Sequence, residues 1–221
     1  NDRLRLDLRY SASRLRCGPL CLCIKETQLF KSLSILLASL LITSCVNIAP
    51  LVNPNSIINI YGVTAQPPQN GNWVVVAASG YQSSLASKGV NENESLVVNT
   101  SIFQLPELGS EKEFLDYVVK SRAATPKTGR FENKQNTEEL SPLNGVVCVK
   151  YHSISEDKNA KIKDGTVSML LESIGYNCQH PLNKTVGVNI EYSSRNFEET
   201  PNLSLSNHSA EYFNNIQFTE F

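Results

Sequence analysis

The chain has 221 residues, a formal net charge of −1, 41% hydrophobic residues and 8% aromatic residues. That apolar share is enough for a packed core and argues against a disordered chain. The near balance of charge speaks against the broad basic face that nucleic-acid binding requires, so no nucleic-acid partner is expected.

Residues 1–23 carry Arg3, Arg5, Arg9, Arg14 and Arg16 together with Cys17, Cys21 and Cys23, without any sustained period. Met169 is the only methionine. This stretch reads as translation running upstream of a true start near Leu22 or Ile24, or else as a disordered segment. Its C-x3-C-x-C spacing lacks neighbouring histidines and is poor zinc chemistry, so no metal is expected there.

Residues 24–44 read as an export signal. Lys31 opens an apolar run from Leu33 to Ile42 broken only by serines, and Thr43, Ser44 and Cys45 close it. A positive start, a short apolar stretch and a small-residue ending are the parts of a signal peptide. A spanning helix needs about 20 apolar residues, and a core helix would show one apolar stripe, whereas Leu, Ile and Ala here fill every face. The ending Ile42-Thr43-Ser44-Cys45 resembles the lipobox of bacterial lipoproteins. The resemblance implies cleavage before Cys45, acylation of that cysteine with fatty acids such as palmitate, and a membrane partner held through the lipid. Val46 stands where aspartate would imply inner-membrane retention. The address implied is the bacterial envelope, at the outer membrane facing the periplasm.

Residues 45–221 carry 13 lysines and arginines against 18 acidic residues, a net charge of −5. Residues 45–71, ending in Q-P-P-Q-N-G, read as a tether between the lipid and a domain over residues 72–221. Within that domain, Asn72–Ala78 and Ser95–Phe103 are strand candidates with an N-E-N-E turn between them. Ser110-Glu111-Lys112-Glu113 is a capping box opening a helix whose stripe is Phe114, Leu115, Val118 and Val119. The polar stretch from Ala124 to Leu143 reads as a long exposed loop. Strands follow over Val146–Ile154, Val167–Ile174 and Thr185–Ser193, with a charged turn over 156–165 that ends in the hairpin signal Asp164-Gly165. A helix with Tyr212, Phe213 and Ile216 begins near Ser209. Strands grouped in hairpins with helices to one side predict an α+β fold, an antiparallel sheet with helices packed on it. The order β-β-α-β-β-β-α, with S-L-V-V before an E-F-L helix and V-N-I-E-Y-S-S-R before an A-E-Y-F helix, resembles PsbP-like domains. That resemblance implies an α-β-α sandwich and brings no catalytic motif.

Once the lipid takes Cys45, Cys148 and Cys178 remain in the exported part, and such a pair reads most simply as a disulfide. The competing readings are two free buried thiols and a nucleophilic Cys148 with His152, four residues on, though a strand would hold those positions about 13 Å apart. No nucleotide loop, zinc-binding H-E-x-x-H or nucleophile elbow occurs, so no cofactor is expected, and His152, His180 and His208 are too scattered to suggest a metal. Lys150 and His180 each lie two residues from a cysteine. With His152 and Arg195 they form the candidate binding set, set against the plainer reading of a solvated sheet face. Sequons at Asn93, Asn99, Asn183, Asn202 and Asn207 would matter in a eukaryotic secreted protein. The function expected is a noncatalytic, membrane-tethered domain that binds an envelope protein or small ligand. The alternative is an envelope hydrolase acting through residues near Cys148, His152 and His180.

Overall fold

A computed structural model describes residues 49–89, 91–124, 129–197 and 203–221. The predicted signal, Cys45 and the arginine-rich stretch ahead of them lie outside the described residues. The elements are β1 (Ile58–Ile60), β2 (Val63–Ala65), β3 (Val74–Ser79), β4 (Gln82–Lys88), β5 (Ser95–Gln104), α1 (Glu111–Ala123), β6 (Phe131–Leu140), β7 (Cys148–Ile162), β8 (Gly165–Gln179), β9 (Val186–Asn196), α2 (Leu203–Asn214) and β10 (Gln217–Phe218). Seven strands form one sheet in the order β3-β4-β5-β9-β8-β7-β6, and β1-β2-β10 form a small second sheet. Every pairing between these strands is antiparallel. The fold is therefore α+β, as the grouping of strands and helices predicts.

Strand alternation divides the large sheet into two faces. On one face, Val98 of β5 and Ile190 and Tyr192 of β9 join Trp73, Leu205, Tyr212 and Phe213 in the main core, together with Val63 and Ala65 of the small sheet. On the other, Phe114 and Val118 of α1 pack on Val149 and Leu105. The two helices thus lie on opposite faces. The α1 start is built as its sequence demands: the Ser110 hydroxyl accepts from the Glu113 N–H at 3.2 Å. Glu113 in turn reaches back one residue beyond the cap, accepting from the Gly109 N–H at 2.8 Å.

Four expectations need correction. The predicted tether over 45–71 is folded in its described part: Ile60, Val63 and Ala65 are buried, because the I-N-I and V-T-A runs pair with each other and with β10. The predicted loop Ala124–Leu143 contains β6, an edge strand whose side chains are almost all exposed; its place comes from backbone bonding to β7. Charged side chains suit such an edge, since they discourage further pairing. The seven-residue β4 links β3 to β5, where the run Q-S-S-L-A-S-K offers little apolar signal. Finally, β7 and β8 run on through the predicted charged turn to a two-residue loop, Ile162 pairing Gly165. The element order is accordingly longer than predicted.

Cys148 and Cys178 are directly opposed on β7 and β8 and joined in a buried disulfide, their Cα atoms 4.0 Å apart. Closing a loop of 30 residues stabilises by about 3–4 kcal/mol in the chain-entropy account. No helix among the described residues is long and apolar enough to cross a membrane.

Candidate functional site

Ahead of the β7 bulge that follows Asp157, the even-numbered positions of β7 and their partners on β8 face α2. Beyond the disulfide, Lys150 and His152 follow Cys148 on that face, and Tyr176, Ile174 and Glu172 precede Cys178 on the neighbouring strand. The helix stands off from this part of the sheet, leaving a cleft of about 380 Å³ lined by these residues and by Ser206, Ser209 and Phe213 of α2. That volume is in the range of small-molecule sites, about 300–1,000 Å³. A second recess, of about 310 Å³, lies beside the N-terminus of α1, with Glu111, His180 and Lys184 among its lining residues.

Inside the α2 cleft, His152 Nε2 and Glu172 Oε1 are 2.8 Å apart, the carboxylate nearly buried and the imidazole about one third exposed. Lys150 forms no hydrogen bond or ion pair among the described residues, and it is half-buried. Apolar walls come from Ile174, Tyr176 and Phe213, the two rings meeting edge to face at 5.1 Å. The arrangement offers one uncommitted cation, one histidine–carboxylate pair and an aromatic wall. No group of three or more metal-ligating side chains occurs among the described residues.

Of the four binding candidates, two meet here and two do not. His180 is fully buried behind Cys178, where its Nε2 donates to the Gly62 carbonyl at 2.8 Å between Phe218 and Phe221. It fastens the β8–β9 turn to the small sheet. Gly62 has φ +73°, and a Cβ there would lie 2.8 Å from that same imidazole nitrogen, so this contact depends on glycine. Arg195 sits on the opposite face and at the far end of β9, 3.3 Å from Asp157. Cys148 is oxidised, so the thiolate that the hydrolase alternative draws on is absent.

Sequence reasoning missed a polar network on the α1 face. The Tyr151 hydroxyl donates to Glu191 Oε2 at 2.8 Å and accepts from Asn189 Nδ2 at 3.2 Å. Arg122 of α1 stacks on the Tyr151 ring, 3.6 Å from its centroid, and is held by Glu138 at 3.2 Å. Burial pushes the Glu191 carboxyl above the usual glutamate range, the Tyr151 hydroxyl and Arg122 opposing it. Burial, with the Glu191 charge adding to it, likewise raises the Tyr151 hydroxyl. Further along β7, the buried Asp157 takes a two-pronged bond from Arg130, both contacts at 2.7 Å. That hydrogen bonding holds Asp157 below the usual aspartate range against its burial. Gly175 was the available signal for the first network, because a glycine within a strand marks a close approach.

No protein-family model matches the chain, and no curated protein matches it. Among solved structures, a Mog1 E65A mutant shares 13% identity over 76% of this chain and 97% of its own, with a TM-score of 0.42. The Saccharomyces cerevisiae Ran-binding protein Mog1p shares 11% identity over 78% of this chain and 97% of its own, also with a TM-score of 0.42. Nothing about this chain's partners follows from likeness at that level.

Proposed function

We propose that this chain is a bacterial envelope lipoprotein, acylated on Cys45, at the outer membrane facing the periplasm. Its α+β domain is a noncatalytic binder whose α2 cleft takes a small ligand carrying an anionic group. The run from Lys31 to Cys45 supports the anchor and the address. Helices on opposite faces of an antiparallel sheet are in keeping with the PsbP-like sandwich, the finer fold we propose.

The observation that carries the binding reading is Lys150: a half-buried lysine that forms no hydrogen bond or ion pair among the described residues and lines a cleft with an aromatic wall. A cation so placed favours an anionic group whose apolar body can lie on Tyr176 and Phe213. The His152–Glu172 pair gives the same site a hydrogen-bonding edge. The hydrolase alternative would have to work through that pair, with Cys148 oxidised and His180 committed to Gly62.

Native mass spectrometry of the protein incubated with small molecules extracted from a bacterial envelope tests the reading. A retained anionic adduct that disappears in Lys150→Glu, while the melting temperature holds, is the expected result. An adduct indifferent to that substitution, or one converted to product by the wild type but not by Glu172→Gln, would overturn noncatalytic binding. Labelling with palmitate, lost in Cys45→Ser, tests the anchor separately.

A further inference from the structure

Four exposed apolar side chains gather at one end of the domain. Tyr61, Tyr81, Leu182 and Phe221 are 43%, 61%, 63% and 50% exposed. The Tyr61 ring lies 5.5 Å from Tyr81 and 4.6 Å from Phe221, and Phe221 lies 4.5 Å from His180. The Leu182 N–H donates to Nδ1 of the same His180 ring at 3.3 Å, which sets the Leu182 backbone at this end of the domain. Tyr81 is at the tip of the β3–β4 hairpin, and the Tyr61 N–H bonds the Gly80 carbonyl there at 2.8 Å.

The start of the described chain heads toward that same end. Leu51 bridges Val74 in antiparallel sense, and the Val75 N–H bonds the Pro50 carbonyl. Read backwards from Leu51 to Ala49, the chain therefore runs alongside β3 toward Gly80 and Tyr81. Ala49 stands four positions after Cys45, an extended reach of at most about 14 Å. With 45–71 folded against the sheet in its described part, the tether is short.

We infer that the Tyr61–Tyr81–Leu182–Phe221 cluster seats the domain on the lipid surface to which Cys45 is anchored, an inference that rests on the lipoprotein reading above. Tyrosine suits the membrane–water boundary because its ring is apolar and its hydroxyl stays wet. A chain whose residues 45–221 carry a net charge of −5 gains nothing from anionic headgroups, so the contact has to be apolar. Because the acyl chains already hold the protein at the surface, even a weak patch is occupied through its high effective concentration.

Hydroxyl-radical footprinting tests this. The acylated protein on phosphatidylethanolamine–phosphatidylglycerol vesicles is compared with the soluble mature chain carrying Cys45→Ser. Oxidation of Tyr61, Tyr81 and Leu182 should fall about threefold or more on vesicles, as expected for groups seated in an interface. Phe131 and Phe197, exposed at the opposite end of the sheet, should not change. A Tyr81→Asp, Leu182→Asp variant should still be acylated and pellet with vesicles, yet lose protection at Tyr61. Acylated protein whose Tyr61 and Tyr81 stay as reactive as in the soluble form, or whose Tyr61 stays protected in the variant, overturns the seating. Concentration-dependent protection in the soluble form would assign the patch to a second copy and also overturn it. Absence of any acyl mass on Cys45 removes the lipoprotein reading instead, a result read from the intact mass before footprinting.

Discussion

Glu191 holds a raised carboxyl pKa beneath α1, and this makes a sign-definite prediction about pH. The folded protein keeps the Glu191 proton at pH values where the unfolded chain has released it. Its contribution to stability is complete below the ordinary glutamate value and is lost as pH rises through the folded pKa. Glu191→Gln keeps an acceptor for the Tyr151 hydroxyl and removes the titration. As pH rises from the ordinary glutamate value, about 4.3, through the raised folded pKa, the wild type should therefore lose melting temperature relative to the variant. A difference in melting temperature that does not change with pH would refute the assignment. Asp157 works in the opposite sense: its contribution is present above the usual aspartate range and is lost as pH falls through its lowered folded pKa. It therefore acts outside that window.

Elements were legible where side chains carried the information. The alternation over 185–193 gave β9, and the S-E-K-E capping box gave α1. β4 and β6 were not legible, because backbone pairing with neighbouring strands supports them and their own sequences are polar. The cleft was half legible: Lys150 and His152 share a face by two-residue spacing, but Glu172 reaches them only through the β7–β8 register, which no local pattern announces. Gly175 shows how strongly that register is specified. It pairs Tyr151 on one side and Glu191 on the other, and its missing side chain lets the tyrosine lean across β8 to the carboxylate. A Cβ there would fall inside contact distance of the Tyr151 hydroxyl and the Ile190 carbonyl oxygen. Gly175→Ala should cost about 2–3 kcal/mol through overpacking, lowering the melting temperature by about 5–10 °C. Thermal denaturation checks this, and a variant melting within about 1 °C of the wild type would show that β8 gives way instead.

At the scale of the molecule, the small sheet decides where the domain begins. A boundary at residue 72 follows from composition, because Asn, Pro and Gln dominate the stretch ahead of it and their solvated look hides two three-residue strands. The structure puts Val63 and Ala65 of that stretch in the main core, pairs β10 with β2, and gives the buried His180 its acceptor on Gly62. Removing residues 47–71 would expose apolar partners of the core, at about 1.5–3 kcal/mol for each large aliphatic side chain lost. It would also remove the Gly62 acceptor of the His180 N–H, at about 0.5–1.5 kcal/mol more. Together these approach the whole stability of a typical domain, about 5–15 kcal/mol. A chain of residues 47–221 should therefore melt cooperatively, with dispersed amide resonances, while residues 72–221 alone should lack both. If the shorter chain melts cooperatively within about 3 °C of the longer one, the small sheet is an appendage, and the short tether on which the membrane seating depends becomes a long one.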